Sequence, residues 1–246
     1  MRRNFLGYGQ NEGMPFSGFS PEGLKFLRSL KRNNRREWFQ PRKDVFDTHL
    51  KVPMEQLVEE INAALDRFAP EYVTETKKAI FRIYRDTRFS NDKTPYKTHI
   101  AAWFKKRGIN DKSAGGFYFH VSPEEVVAAA GVFMPPADQV LALRKFLLEN
   151  HDRYMKLAKD KKLRKLEEFE GQSLQRDPKG FPKDHPASPL IRRKQWGWHQ
   201  TWKPDLAATP KLLPELVASF KIMAPAVMFL NEAFAQKKPR REFYFD

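Results

Sequence analysis

The hydrophobic period changes twice along this chain, and that change restricts the fold more than any other feature. Up to about residue 70, apolar residues recur at helical spacing: Leu24, Leu27 and Leu30, then Trp38, Phe46, Leu50, Met54, Leu57, Ile61, Leu65 and Phe68. Between residues 79 and 133 four short segments alternate instead: 79–85, 99–105, 116–122 and 126–133. Helical spacing then returns over 136–150, 151–168, a short stretch after Asp184, and 211–235, while the basic aromatic segment 191–202 reads as a last strand. Strands gathered mid-chain between helical runs predict an α+β fold, a mainly antiparallel sheet of four to five strands covered by N-terminal and C-terminal helices. Segments 116–122 and 126–133, joined by Ser122-Pro123-Glu124-Glu125, read as a hairpin. The small residues Ala128, Ala129, Ala130 and Gly131 imply that another element passes close over that strand.

Punctuation supports this division. Ser20-Pro21-Glu22 is a helix start, with a hydroxyl to cap, a proline in the first turn and an acid at the positive dipole end. That helix stops at Asn33-Asn34. Pro53 falls inside the second helical pattern and predicts a kink or a split, and Pro70 ends it. There is no internal repeat and no long linker, so one domain is expected over residues 16–235, with 1–15 and 236–246 as loosely held ends.

A hydrophobic fraction of 41% and 21 phenylalanines are enough for a sizeable core in 246 residues. The absence of cysteine excludes disulfides, a thiolate nucleophile and cysteine-ligated metal. The first residues lack an apolar core segment, and the longest uncharged run, 126–137, is too short to span a bilayer, so a soluble, cytoplasmic protein without a membrane partner is expected. The net charge of +15 is concentrated: residues 77–112 hold eleven Lys/Arg against three acids, and residues 153–194 thirteen against six. Such concentration favours polyanionic or phosphorylated partners.

The densest chemistry lies in Arg82-x-x-Arg85-Asp86-x-Arg88-Phe89-Ser90-x-Asp92-Lys93-x-Pro95-Tyr96-Lys97. In its strand half, Phe81 and Ile83 are expected on one face, with Arg82, Tyr84 and Asp86 on the other. In its loop half, arginine forks suit carboxylate or phosphate, and Asp86 or Asp92 can orient them. The same residues also fit an internal ion-pair scaffold that fixes a glycine-free loop. His120 shares a face with Tyr118 and, with Asp92, is a candidate proton carrier. None of the six histidines makes a metal-binding spacing, so no metal or cofactor is expected. Lys179, Lys183 and His185 add cations to the turn-rich segment 179–186. Arg192-Arg193-Lys194-Gln195-Trp196-Gly197-Trp198 mixes cations with aromatics as single-strand nucleic-acid platforms do. Phosphate-loop, dinucleotide and nucleophile-elbow motifs are absent.

Taken together, Phe16-Ser-Gly-Phe19, Asn33-Asn34-x-x-Glu37-Trp38-Phe39, the Arg82–Lys97 motif, Pro178-Lys179-Gly180 and Asp184-His185-Pro186 resemble the domain of unknown function 2461 family of conserved bacterial proteins. The resemblance covers residues 16–235, implies a single domain, and implies no particular reaction. Three function classes follow. The first is a small-molecule site for a phosphate or carboxylate anion, with or without catalysis, using Arg82, Arg85, Asp86, Arg88, Lys93, Tyr96, Lys97, Tyr118 and Lys179. The second is a nucleic-acid-binding module built on residues 77–112 and 153–194, with Trp196 and Trp198 exposed for stacking. The third is an interaction protein in which the motif is a buried ion-pair scaffold. The first is preferred, on the clustering of charge at a strand end.

Overall fold

The computed structural model describes residues 15–108, 115–169, 171 and 173–234; the expected loose ends, residue 15 apart, lie outside them. Ser20 caps helix α1 (Pro21–Arg32), its Oγ accepting from the Gly23 amide at 3.2 Å, and Asn33 closes the helix as expected. Gly23 lets α1 approach closely, since a Cβ there would sit 2.5 Å from the His49 carbonyl oxygen. Short helices α2 (Arg36–Phe39) and α3 (Lys43–Phe46) lead into a π-helical turn, Asp47–Lys51, and then α4 (Val52–Phe68). Pro53 is the cause of the interruption: it has no N–H for the His49 carbonyl, and the widened turn accommodates its ring without ending the helix.

After α5 (Thr76–Ala79) come the strands β1 (Ile100–Lys105), β2 (Gly116–Val121) and β3 (Val126–Val132), followed by helices α6 (Ala137–Glu149) and α7 (His151–Ala158). The chain then adds β4 (Glu167–Glu168), α8 (Ser188–Ile191), β5 (Trp196–Trp202) and the long helix α9 (Leu212–Glu232). The sheet is antiparallel, in the order β1-β2-β3-β5-β4. This is an α+β fold, as the change of period predicts. Val132 lies opposite Trp196, so the chain between those residues starts and ends at one place in the sheet, and midway it returns to add β4 along β5.

One face of the sheet (Phe104, Phe117, Phe119, Ala128, Ala130, Trp196) joins α1, α4 and α9 in a continuous core. Helix α9 is the element that crosses β3, which explains the small residues there. It is long and apolar enough to cross a membrane, and here its Phe220, Met223, Val227 and Leu230 are wholly buried in that core. Gly131 (φ +152°) has a separate reason: a Cβ would meet the Trp196 carbonyl oxygen of the neighbouring strand at 2.2 Å.

Two expected elements are corrected. Residues 79–85 form no strand; they make isolated bridges at Ile80 to Ala102 and at Tyr84 to Tyr96. The chain crosses from one side of the sheet to the other there: Ile83 is buried in the core, while Phe81 is half exposed with its ring 6.2 Å from Tyr118. The expected helix over 151–168 stops at Ala158 because the Asp160 carboxylate accepts from the Lys162 and Leu163 amides, both at 2.9 Å.

Candidate functional site

The motif folds as a narrow two-stranded arm. The Lys97 amide donates to the Ile83 carbonyl at 2.8 Å and the Arg85 amide to the Pro95 carbonyl at 2.9 Å. Asn34, from the α1–α2 turn, clamps this arm from outside: its Nδ2 donates to the Tyr96 carbonyl at 2.8 Å, and its Oδ1 accepts from the Tyr96 amide at 3.0 Å. The Tyr96 ring stacks on Phe39 with centroids 4.1 Å apart. At the tip, Arg85 is bound by Asp92 and by the Thr94 hydroxyl, while Asp92 Oδ1 accepts from the Thr94 amide at 2.9 Å. Arg88 grips Asp86 through two bonds of 3.0 and 2.7 Å, and Lys93 Nζ caps the Thr87 carbonyl at 3.0 Å. Hydrogen bonds from Arg88 hold the Asp86 carboxyl at about 2, and the Thr94 amide with Arg85 does the same for Asp92. Both acids are therefore fixed anions at neutral pH. Asp92 is spoken for by Arg85 and Thr94, which removes it as a proton carrier in this geometry.

Arg82 differs from its neighbours. Its guanidinium makes no ion pair among the described residues, and it borders a cleft of about 540 Å³ between the π turn, α4 and the base of the arm. Phe39, Phe46, Met54, Ile80, Ile83 and Ile100 make an apolar floor. The rim carries Lys43, Lys51, Lys77 and Arg82 with two acids, Asp47 and Glu55. Asp47 is taken by Lys43, whereas Lys51, Lys77 and Arg82 make no close ion pair among the described residues, Arg82 acting on Asp86 only at longer range. Lys97 does not enter this cleft. Its Nζ donates to the Arg82 carbonyl at 2.7 Å over the Phe81 ring, and burial beside Arg82 lowers its pKa.

Tyr118 and His120 lie on the opposite face of the sheet. Their rings are 5.7 Å apart, His99 stands 5.4 Å from His120, and Glu125 Oε1 is 3.5 Å from His120 Nε2. Burial raises the Tyr118 hydroxyl to about 12, depresses His99 to about 4 and lowers His120. The base of the arm reaches this group through Phe81 and Lys97, but neither Tyr118 nor His120 borders the Arg82 cleft. Phe81 borders the cleft and also faces Tyr118, so the two walls expected of one pocket meet only through that ring, and Tyr118 and His120 do not line the cleft.

The chain matches, over residues 22–229, the model of the family described as a conserved hypothetical protein (DUF2461). It belongs to the DUF2461 family. The match includes both the Asn34 clamp and the whole arm. No curated protein and no solved structure matches the chain.

In this DUF2461 chain other expected site residues are dispersed. Lys179 lies in the turn before α8, where Asp177 holds Arg192 at 2.7 Å, and it borders neither the cleft nor the arm. Trp196 and Trp198 are not exposed for stacking: both are buried, Trp196 donating to the Leu190 carbonyl at 3.1 Å and Trp198 stacking near Tyr154. Strand β5 is interior in the sheet, so its alternating tryptophans cap the core. Lys43, Lys51 and Lys77 were not marked by the sequence, because they meet Arg82 only through packing of α3, the π turn and α5. Asn231 was also missed: wholly buried in α9, it binds the Gly115 amide, the Gly115 carbonyl and the Tyr72 hydroxyl at 2.7, 3.0 and 2.7 Å.

Proposed function

We propose that this protein binds a small amphipathic anion, a carboxylate or phosphate head on an apolar body, in the cleft beside Arg82. The observation that carries the reading is the set of three cations in no close ion pair, Lys51, Lys77 and Arg82, around an apolar floor. Arg85 and Arg88 form the scaffold half of the motif, spent on Asp92 and Asp86. Arg82 holds the head through its fork, and the floor takes the body. In this reading the protein is a soluble, cytoplasmic protein that holds its ligand at the cleft, and the candidate proton carriers His120 and Asp92 stand outside it. Calorimetric titration with octanoate and with phenyl phosphate tests this. Binding of at least one is expected, weakened about 10- to 100-fold by Arg82→Ala, the range for a lost charge-assisted hydrogen bond, and unchanged by Arg88→Ala. Failure of both probes to bind, or equal binding by Arg82→Ala, overturns the reading.

A further inference from the structure

The arm presents one side chain that its internal bonding does not explain. Phe89, at the tip, is 95% exposed, the most exposed large hydrophobic side chain among the described residues. The turn that holds it is tied on both sides: Arg88 to Asp86, Lys93 to the Thr87 carbonyl, and Arg85 to Asp92 and Thr94. A phenyl ring held in water on a braced turn loses little conformational entropy when something stacks on it.

Beside this turn lies an open hollow of about 550 Å³, lined by Arg35, Arg36 and Glu37 of the α1–α2 turn and by Thr87, Lys93 and Thr94 of the arm. Arg35, Arg36 and Lys93 have no carboxylate partner among the described residues. Arg35 and Arg36 belong to a charge concentration outside the two basic segments at 77–112 and 153–194, and Lys93 joins it from the first of them. Residues 25–43 contain eight Lys/Arg against one Glu, an excess masked along the chain by the acids of 44–76. The Asn34 clamp brings this cationic turn against the arm.

We infer that Phe89 and the Arg35/Arg36/Lys93 hollow form a binding face for single-stranded nucleic acid, with phosphates in the hollow and a base stacked on Phe89. The hollow lacks the apolar floor that a partner helix needs, and its cations suit a repeating anion. An exposed ring such as Phe89, with the Arg88 guanidinium 5.7 Å from its centroid, accepts any unpaired base, whereas paired bases in a duplex offer none. The face is separate from the Arg82 cleft, with which it shares no lining residue.

Fluorescence anisotropy of a labelled oligothymidylate of about 15 nucleotides, titrated with the full chain, tests the proposal. Three neutralised phosphates predict a slope of log affinity against log salt of about −2. Arg35→Ala/Arg36→Ala lowers the slope to about −0.7. Phe89→Ala weakens binding about tenfold with the slope unchanged, and Phe89→Tyr restores it. Arg82→Ala leaves oligonucleotide binding intact, so failure here and failure of the cleft reading are told apart. Melting curves confirm that the variants stay folded. The proposal is overturned by absence of saturable binding at low salt, by indifference to Phe89→Ala or to the arginine pair, or by equally tight binding of polyglutamate or of a duplex of the same length.

Discussion

At the scale of single residues, the motif divides its labour. Asn34 supplies no charge, yet it joins two parts of the chain 62 residues apart through both hydrogen-bonding groups of the Tyr96 backbone. Those groups are part-buried, so removing their partner leaves them poorly satisfied. Asn34→Ala is expected to cost about 2 kcal/mol in urea denaturation, roughly 1 kcal/mol for each bond. Asn34→Asp, which keeps the acceptor and loses the donor, falls between the two. An Asn34→Ala midpoint equal to that of the parent chain refutes the clamp. Arg82 shows the other side of the division: three arginines in seven residues look alike in sequence, and only the positions of Asp86 and Asp92 separate the braced pair from the free one.

Among elements, local signals read well and tertiary ones did not. The cap at Ser20, the stop at Asn33 and the β2–β3 hairpin were legible because each depends on neighbours in sequence. The interruption at Pro53 was legible too, although its form, a π turn that carries Lys51 to the cleft, was not. Residues 79–85 alternate like a strand but lack a continuous partner, so period alone misled. Strand β4 is two residues long and exists only through its register with β5. The cleft was the least legible feature, since its four cations come from α3, the π turn, α5 and the arm, with no shared pattern. The element that passes close over β3 is α9, whereas at Gly131 the close neighbour is the backbone of β5. Gly131→Ala sets a strained φ against a backbone clash and is expected to cost on the order of 3 kcal/mol or more, read from the denaturation midpoint. A loss below about 1 kcal/mol contradicts that packing.

For the whole molecule, acid stability has two stages. His99 titrates near 4 when folded because burial disfavours its charged form, with His120 and Lys97 adding repulsion. The unfolded chain protonates it first, so the stability it gives is complete above about 6.5 and is lost as pH falls from there to about 4. Asp86 and Asp92, held at about 2, contribute stability that is present above about 3.8 and lost as pH falls through about 2. Melting temperature against pH should therefore decline in two steps, and His99→Gln should reduce the upper one alone. An undiminished upper step in that variant counts against the assignment. The sheet has one more consequence at this scale. Because Val132 faces Trp196, the intervening chain is an excursion with coincident ends, pinned midway by β4 against β5, and it carries all of the basic segment 153–194. Length added or removed at the far loops of that excursion leaves the β3–β5 register untouched, and doubling a flexible loop costs only about 0.6 kcal/mol. In this chain, then, added length is tolerated in those loops and not in the arm, whose two strands and Asn34 clamp fix each other's spacing.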